Sequence, residues 1–169
     1  MNLLFDFNVD KETSTIHITR EFAADQDLVW DAFTKSEILD QWFAPKPFHL
    51  QTKEMNFREG GRWLYAMVSQ EKIAGYSLVE FLEINPKSSF TTRNSFSDEN
   101  GNSVSKAVTF SITTNDFSEK DGTTTVHITK KMASLAELEK FVAMGFREGM
   151  AVVLRGLEDY LQAAMAGRK

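Results

Sequence analysis

Three histidines, His17, His49 and His127, are the side chains best suited to hold a metal or move a proton near neutral pH. Each lies in a separate extended segment without a second ligand two or four residues away, whereas a metal site needs clustered ligands. No metal is therefore expected, and the alternation of His17 and His127 with apolar neighbours puts both on exposed faces. Glu80 and Glu83 could form an acid–base pair, but a separation of three within a strand directs them to opposite faces. Arg147 and Glu148 flank the apolar stripe of a helix and read as a solvated edge. With no cysteine in the chain, disulfide, thiolate and cysteine-ligated metal chemistry all drop out. No Gly-x-Ser-x-Gly elbow, P-loop or dinucleotide fingerprint occurs, so acyl transfer and nucleotide chemistry have no support. No cofactor is expected, and the balance of these observations leans away from an enzyme.

The elements that would position such residues can be read from periodicity. Residues 3–9 and 15–22 are extended, with Ile16, Ile18 and Phe22 on one side of the second run, and the polar Asp10-Lys11-Glu12-Thr13 between them suggests a hairpin. A short helix is expected over 25–34, started by Asp25 or Asp27, and a second from Ser36 to the stops at Pro45 and Pro47. Six strand candidates follow, at 48–57, 62–69, 74–84, 89–97, 104–114 and 123–130, separated by Gly-, Asn- and Asp-bearing turns. From Ser134 to Ala164 the period becomes helical. Leu135, Leu138, Val142, Phe146, Met150, Val153, Leu157 and Leu161 form a single stripe, and Ser134 with Glu137 fits a capping box. Read as one helix, this stretch would be roughly 45 Å long. A curved antiparallel sheet with one long helix to cover its apolar face is an α+β architecture.

The bulk numbers agree with an ordinary folded chain. Its 169 residues suit one domain, and 42% hydrophobic with 25% charged residues argues against disorder. The net charge of −5 and the shortness of the basic clusters Lys130-Lys131 and Arg168-Lys169 argue against nucleic acid as a partner. The first ten residues lack the basic start of a secretion signal, and no run approaches the roughly 18 apolar residues of a membrane span. A cytoplasmic location and no membrane partner are the expectations.

The order of elements is that of the helix-grip fold, and local motifs sharpen the likeness. Arg20-Glu21-Phe22 with Val29-Trp30-Asp31-Ala32-Phe33, then Leu39-Asp40-Gln41-Trp42-Phe43-Ala44-Pro45, resemble the opening of the heat-shock protein 90 ATPase activator homologue family. Phe57-Arg58-Glu59-Gly60-Gly61-Arg62-Trp63 resembles its double-glycine turn, and Val79 to Pro86 the strand after it. Gly145, Gly149, Leu154, Leu157 and Tyr160 resemble its closing helix. The likeness runs from about 15 to 161, leaving residues 1–12 as an arm or an extra strand. The resemblance implies a member of the START-like superfamily, and with it a hollow between the sheet and the closing helix.

Fourteen Phe, three Trp and three Tyr supply rings that could line it. The residues expected at such a hollow are Trp42, Trp63, Tyr65, Met67, Tyr76, Phe90, Asn94, Phe96, Phe110, Phe146 and Met150. Tyr65, Tyr76 and Asn94 would be its polar groups. Gly145, Gly149 and Gly156 share a helix face, where close packing against the sheet is the favoured reason over room for a ligand. The resemblance implies a non-catalytic binding protein for a small lipophilic ligand. Its alternatives are a co-chaperone-like module that contacts a protein partner, and a cyclase- or dehydratase-like enzyme on the same fold.

Overall fold

Alternation of inward apolar and outward polar side chains produces one eight-stranded antiparallel sheet in the computed structural model, which describes residues 3–104 and 108–167. The chain runs β1 (Phe5–Asp10), β2 (Thr15–Phe22), α1 (Gln26–Thr34), α2 (Ser36–Trp42), β3 (His49–Met55), β4 (Arg62–Ser69), β5 (Lys72–Asn85), β6 (Ser89–Ser97), β7 (Ser111–Lys120), β8 (Thr123–Met132), α3 (Leu135–Ala143) and α4 (Phe146–Ala166). In space the strands lie in the order β1-β2-β8-β7-β6-β5-β4-β3. Register shifts in the β3–β4, β4–β5 and β5–β6 pairs bend this half of the sheet. The expected α+β helix-grip architecture, with two short helices after the second strand, is the one formed, and the N-terminal arm is an edge strand.

Three sequence expectations are corrected. The strand placed at 104–114 begins at Ser111 and runs to Lys120. Residues 105–107 of that expectation, and the Arg168-Lys169 pair, lie outside the described residues. The closing helix is two helices, because Gly145 adopts φ 91 and breaks the hydrogen-bond ladder between α3 and α4. The apolar stripe continues across this break, which hides it from periodicity. Finally, the irregularity between Phe81 and Glu83 leaves Leu82 as an extra residue. Glu80 stands opposite Arg93 and Glu83 opposite Thr91, so both glutamates share the outer face. Glu80 forms a 3.2 Å ion pair with Arg93 there.

The helices are tied to the sheet by specific contacts. Asp25 caps α1, its carboxylate accepting from the Leu28 N–H at 2.8 Å. Trp30 meets Phe57, Phe90 and Phe117 edge-on at 5.9, 5.7 and 5.2 Å between ring centroids, filling the space under α1. The Trp63 indole N–H donates to the Thr52 hydroxyl at 3.1 Å, and that hydroxyl donates to Asp40 of α2 at 2.6 Å. On α4, Val153, Leu154, Leu157 and Leu161 are buried against the sheet, and Glu158 reaches the buried Arg20 of β2 at 3.5 Å. The Ser134 hydroxyl accepts from the Glu137 N–H at 3.2 Å, the first half of a capping box. Its second half is absent, since the Glu137 carboxylate instead accepts from the backbone N–H and hydroxyl of Thr109.

The double-glycine turn has a steric cause. A Cβ on Gly61 would stand 2.1 Å from the Asn56 carbonyl oxygen, so only glycine fits where β4 enters the sheet. Both turn glycines also bond to the Phe81 backbone, with Gly60 donating at 2.9 Å and the Gly61 carbonyl accepting at 3.0 Å. Gly61→Ala is expected to cost more than about 2 kcal/mol in chemical denaturation. Gly75→Ala, whose Cβ would meet nothing within 4 Å, should stay within about 0.5 kcal/mol. Equal losses at the two positions would remove the anchoring role of the turn.

Candidate functional site

A hollow remains between the concave sheet and the N-terminal half of α4. Its main compartment has a volume of about 270 Å³, and an adjoining compartment about 100 Å³. Phe43, Val79, Asn94, Lys130, Phe146 and Met150 belong to the walls of both. The cause lies in the helix. From Val153 onward α4 seats large aliphatic side chains in the sheet, whereas one turn earlier stands Gly149, around which a Cβ would find no atom within 4 Å. Gly149 therefore leaves open space where close packing was the favoured reading. Gly156 approaches the Trp42 carbonyl of α2 at an ordinary 3.7 Å, and Gly145 serves the break between helices.

Of the residues expected at the hollow, Tyr65, Met67, Asn94, Phe96, Phe146 and Met150 line the main compartment. Trp63 and Phe90 line the adjoining one, together with Asn94, Phe146 and Met150. Three expected residues reach neither compartment. Trp42 is buried behind Phe43, its ring 5.2 Å from it, and its indole N–H donates to the Ala32 carbonyl at 3.0 Å. Tyr76 pairs with Ala66 and Ser97, on the outer face of the sheet. Phe110 precedes the true start of β7 and lies under the outward Arg93, 4.6 Å from ring centroid to guanidinium. The histidines are also away from the hollow. His17 and His127 stand on the outer face as expected, but half-buried against one another at 5.6 Å, with Thr19 and His127 Nδ1 at 2.9 Å.

The polar content of the walls differs more from expectation than the apolar content. Cross-strand register brings Thr92 and Asn94 of β6, Ser111, Thr113 and Asn115 of β7, and Lys130 of β8 into one inward-facing band. Thr92 donates to Asn94 Oδ1 at 2.7 Å, and Lys130 Nζ donates to the Thr113 hydroxyl at 3.2 Å. Lys130 Nζ also stands 5.5 Å from the Phe141 ring and 5.9 Å from the Phe146 ring. Apart from Asn94, sequence reasoning missed this band, because it weighed Lys130-Lys131 only as a basic cluster too short for nucleic acid and began the seventh strand too early. The signal available was the alternation Ser111, Thr113, Asn115, Phe117 once that strand is placed correctly.

Burial lowers the Lys130 pKa from 10.5 to about 8. The residue is half-buried, and its remaining surface contributes to the walls of the hollow. Burial acts in the opposite direction on Tyr65, raising its phenol, with the Ser77 hydroxyl bond working against the rise. Among the described residues, Lys130 and Tyr65 are the ionisable side chains of these walls, and no carboxylate pairs with the ammonium. Charged neighbours on the packed helices are directed elsewhere, Glu137 to Thr109 and Arg147 to the Phe7 ring. Between pH 8 and 10.5 the unfolded chain holds the lysine proton more tightly than the folded one. The penalty is thus complete below that window and relieved as pH rises through it. Lys130→Met is expected to raise stability at pH 7 by about 1–3 kcal/mol. The advantage should shrink toward pH 10.5 in denaturation measured across pH. A destabilised variant, or a gap that ignores pH, would contradict a desolvated ammonium.

Known structures share this fold. A Mycobacterium smegmatis crystal structure superposes with a TM-score of 0.85 at 25% identity, over 96% of this chain and 99% of that one. A Staphylococcus epidermidis protein solved by NMR gives 0.81 at 27% identity, over 93% and 94%. A Silicibacter pomeroyi protein of the AHSA1 type gives 0.69 at 18% identity, over 89% and 99%, a likeness of fold alone. No curated protein matches the chain in sequence. No helix among the described residues is long and apolar enough to cross a membrane. The family model for activator of Hsp90 ATPase homolog 1-like proteins matches residues 23–162, most of the sequence and every element from α1 into α4. The chain belongs to that family.

Proposed function

We propose that this chain is a non-catalytic binding protein that takes a small lipophilic ligand into the hollow beneath α4. The carrying observation is the hollow itself, with a main compartment of about 270 Å³ walled by Phe43, Tyr65, Met67, Phe96, Phe146 and Met150 and fitted with few polar groups. Small-molecule sites have this composition, mostly apolar with a handful of placed donors and acceptors. Gly149 adds support, since a glycine within a helix costs about 1 kcal/mol relative to alanine and here faces open space rather than a packed neighbour.

Two other roles on this fold receive less support. A partner-binding module of the co-chaperone kind would be expected to fill its interior and gather its apolar surface into one patch. Here a space of about 270 Å³ lies beside the packed core, and exposed Ile73, Leu82, Val104, Met144 and Val152 are spread over β5, the segment after β6, the helix break and α4. A cyclase or dehydratase would need a positioned acid and base. The walls offer the phenol of Tyr65 and a lysine, without a carboxylate or histidine among the described residues.

Native mass spectrometry of the purified protein, followed by organic extraction, should find a discrete lipophilic mass bound one to one. Gly149→Leu should keep the fold, with stability unchanged or raised by about 1 kcal/mol, while ligand occupancy falls at least tenfold. If the leucine variant instead binds as the parent does, the space beside Gly149 is not where the ligand sits. A bare wild-type protein that also fails to bind added lipophilic probes would end the carrier reading.

A further inference from the structure

We infer that the ligand of this hollow is a lipophilic anion, an apolar body bearing one acid group that pairs with Lys130. The inference rests on the binding role proposed above and names the chemistry of its occupant. An ammonium carries three donors, and Lys130 places one of them on the Thr113 hydroxyl at 3.2 Å. Its other described neighbours are the Phe141 and Phe146 rings, at 5.5 and 5.9 Å. A charge withdrawn from water is costly unless it is paired and hydrogen-bonded. A second inward-facing cation, Arg20, is buried and obeys this rule, reaching Glu158 at 3.5 Å. Lys130 lacks such a carboxylate among the described residues, and it belongs to the walls of both compartments.

The surroundings suit the oxygens of an acid group. Ser111 and Asn94 stand opposite one another in register and both line the main compartment, on the same band as Thr113 and Lys130. The Thr92 hydroxyl occupies Asn94 Oδ1, which leaves the amide NH2 as a donor. An anion seated on this band would accept from the ammonium and from one or two neutral donors, while its apolar part lies among Met67, Phe96 and Met150. A purely apolar hollow would favour the neutral member of any acid–alcohol pair, because a carboxylate sheds its hydration only at a cost. A cation without a counter-charge in the wall reverses that preference, so the sign of the discrimination is the test.

Decanoate and 1-decanol share a chain length, and their affinities for the wild-type protein at pH 7 can be compared by displacement of a bound fluorescent probe. Decanoate is expected to bind at least tenfold more tightly, and Lys130→Met is expected to abolish that preference while still binding 1-decanol. Lys130→Arg should keep part of it. Equal or tighter binding of 1-decanol by the wild type overturns the anion inference and leaves the cavity intact. Failure of both compounds to bind overturns the cavity reading, and the inference with it. Should Lys130→Met not fold, Lys130→Gln and the wild-type comparison decide the same question.

Discussion

One helix has to cover the concave face of an eight-stranded sheet, and it cannot lie equally close to that face along its whole length. In this protein the contact is concentrated at one end. Val153, Leu154, Leu157 and Leu161 seat the C-terminal part of α4, and the Arg20–Glu158 pair fixes its azimuth from the sheet side. Toward the opposite end, Phe146, Gly149 and Met150 line the hollow. Below α1, the contacts of Trp30 with Phe57, Phe90 and Phe117 fill the sheet densely. The hollow is therefore the remainder left after these packed regions have taken their share of the apolar side chains.

This distribution explains why so many aromatic residues occur together without closing the interior. Rings meeting edge-on are stiff, with few rotamers, and cannot collapse into a gap as a methionine could. Trp63 is further held by the chain of hydrogen bonds through Thr52 to Asp40. The ringed part of the wall is thereby limited in how it can repack, while Met67 and Met150 are its adaptable members. The polar band across β6, β7 and β8 works to the same end, since side chains engaged with one another do not fold down into the space above them.

Much of the architecture was legible in the sequence, because strand alternation and turn chemistry are local properties. Seven of the eight strands, both short helices and the apolar stripe could be read from spacing alone. What escaped were features that spacing does not encode. The break at Gly145 leaves the stripe in phase, so a two-helix closure looks like one. The bulge at Leu82 returns Glu83 to the face of Glu80, which no alternation rule anticipates. In the site, apolar lining residues were inferred from ring content, and Tyr65, Met67 and Phe96 do line the hollow. Tyr76 escaped because it takes the outer side of β5, and Phe110 because it lies before β7 rather than within it. Lys130 was passed over because a lysine inside is improbable until the sheet that encloses it is known.

The strand order carries a consequence for how the molecule is assembled. β2 pairs with β8, joining Thr15–Phe22 to residues more than a hundred positions later. Contacts of such range form late, because a long loop must close before the pairing is rewarded. β6, β7 and β8 form a meander through neighbouring hairpins, so the polar band can be laid down first. The helix over the hollow, α4, follows all eight strands in sequence and reaches Arg20 of β2 through Glu158. The hollow is thus complete only when β2, β8 and α4, which lie far apart in sequence, have come together. A molecule that occupies it selects the fully closed chain over every partly folded form, and its binding energy is transmitted to the stability of the whole fold.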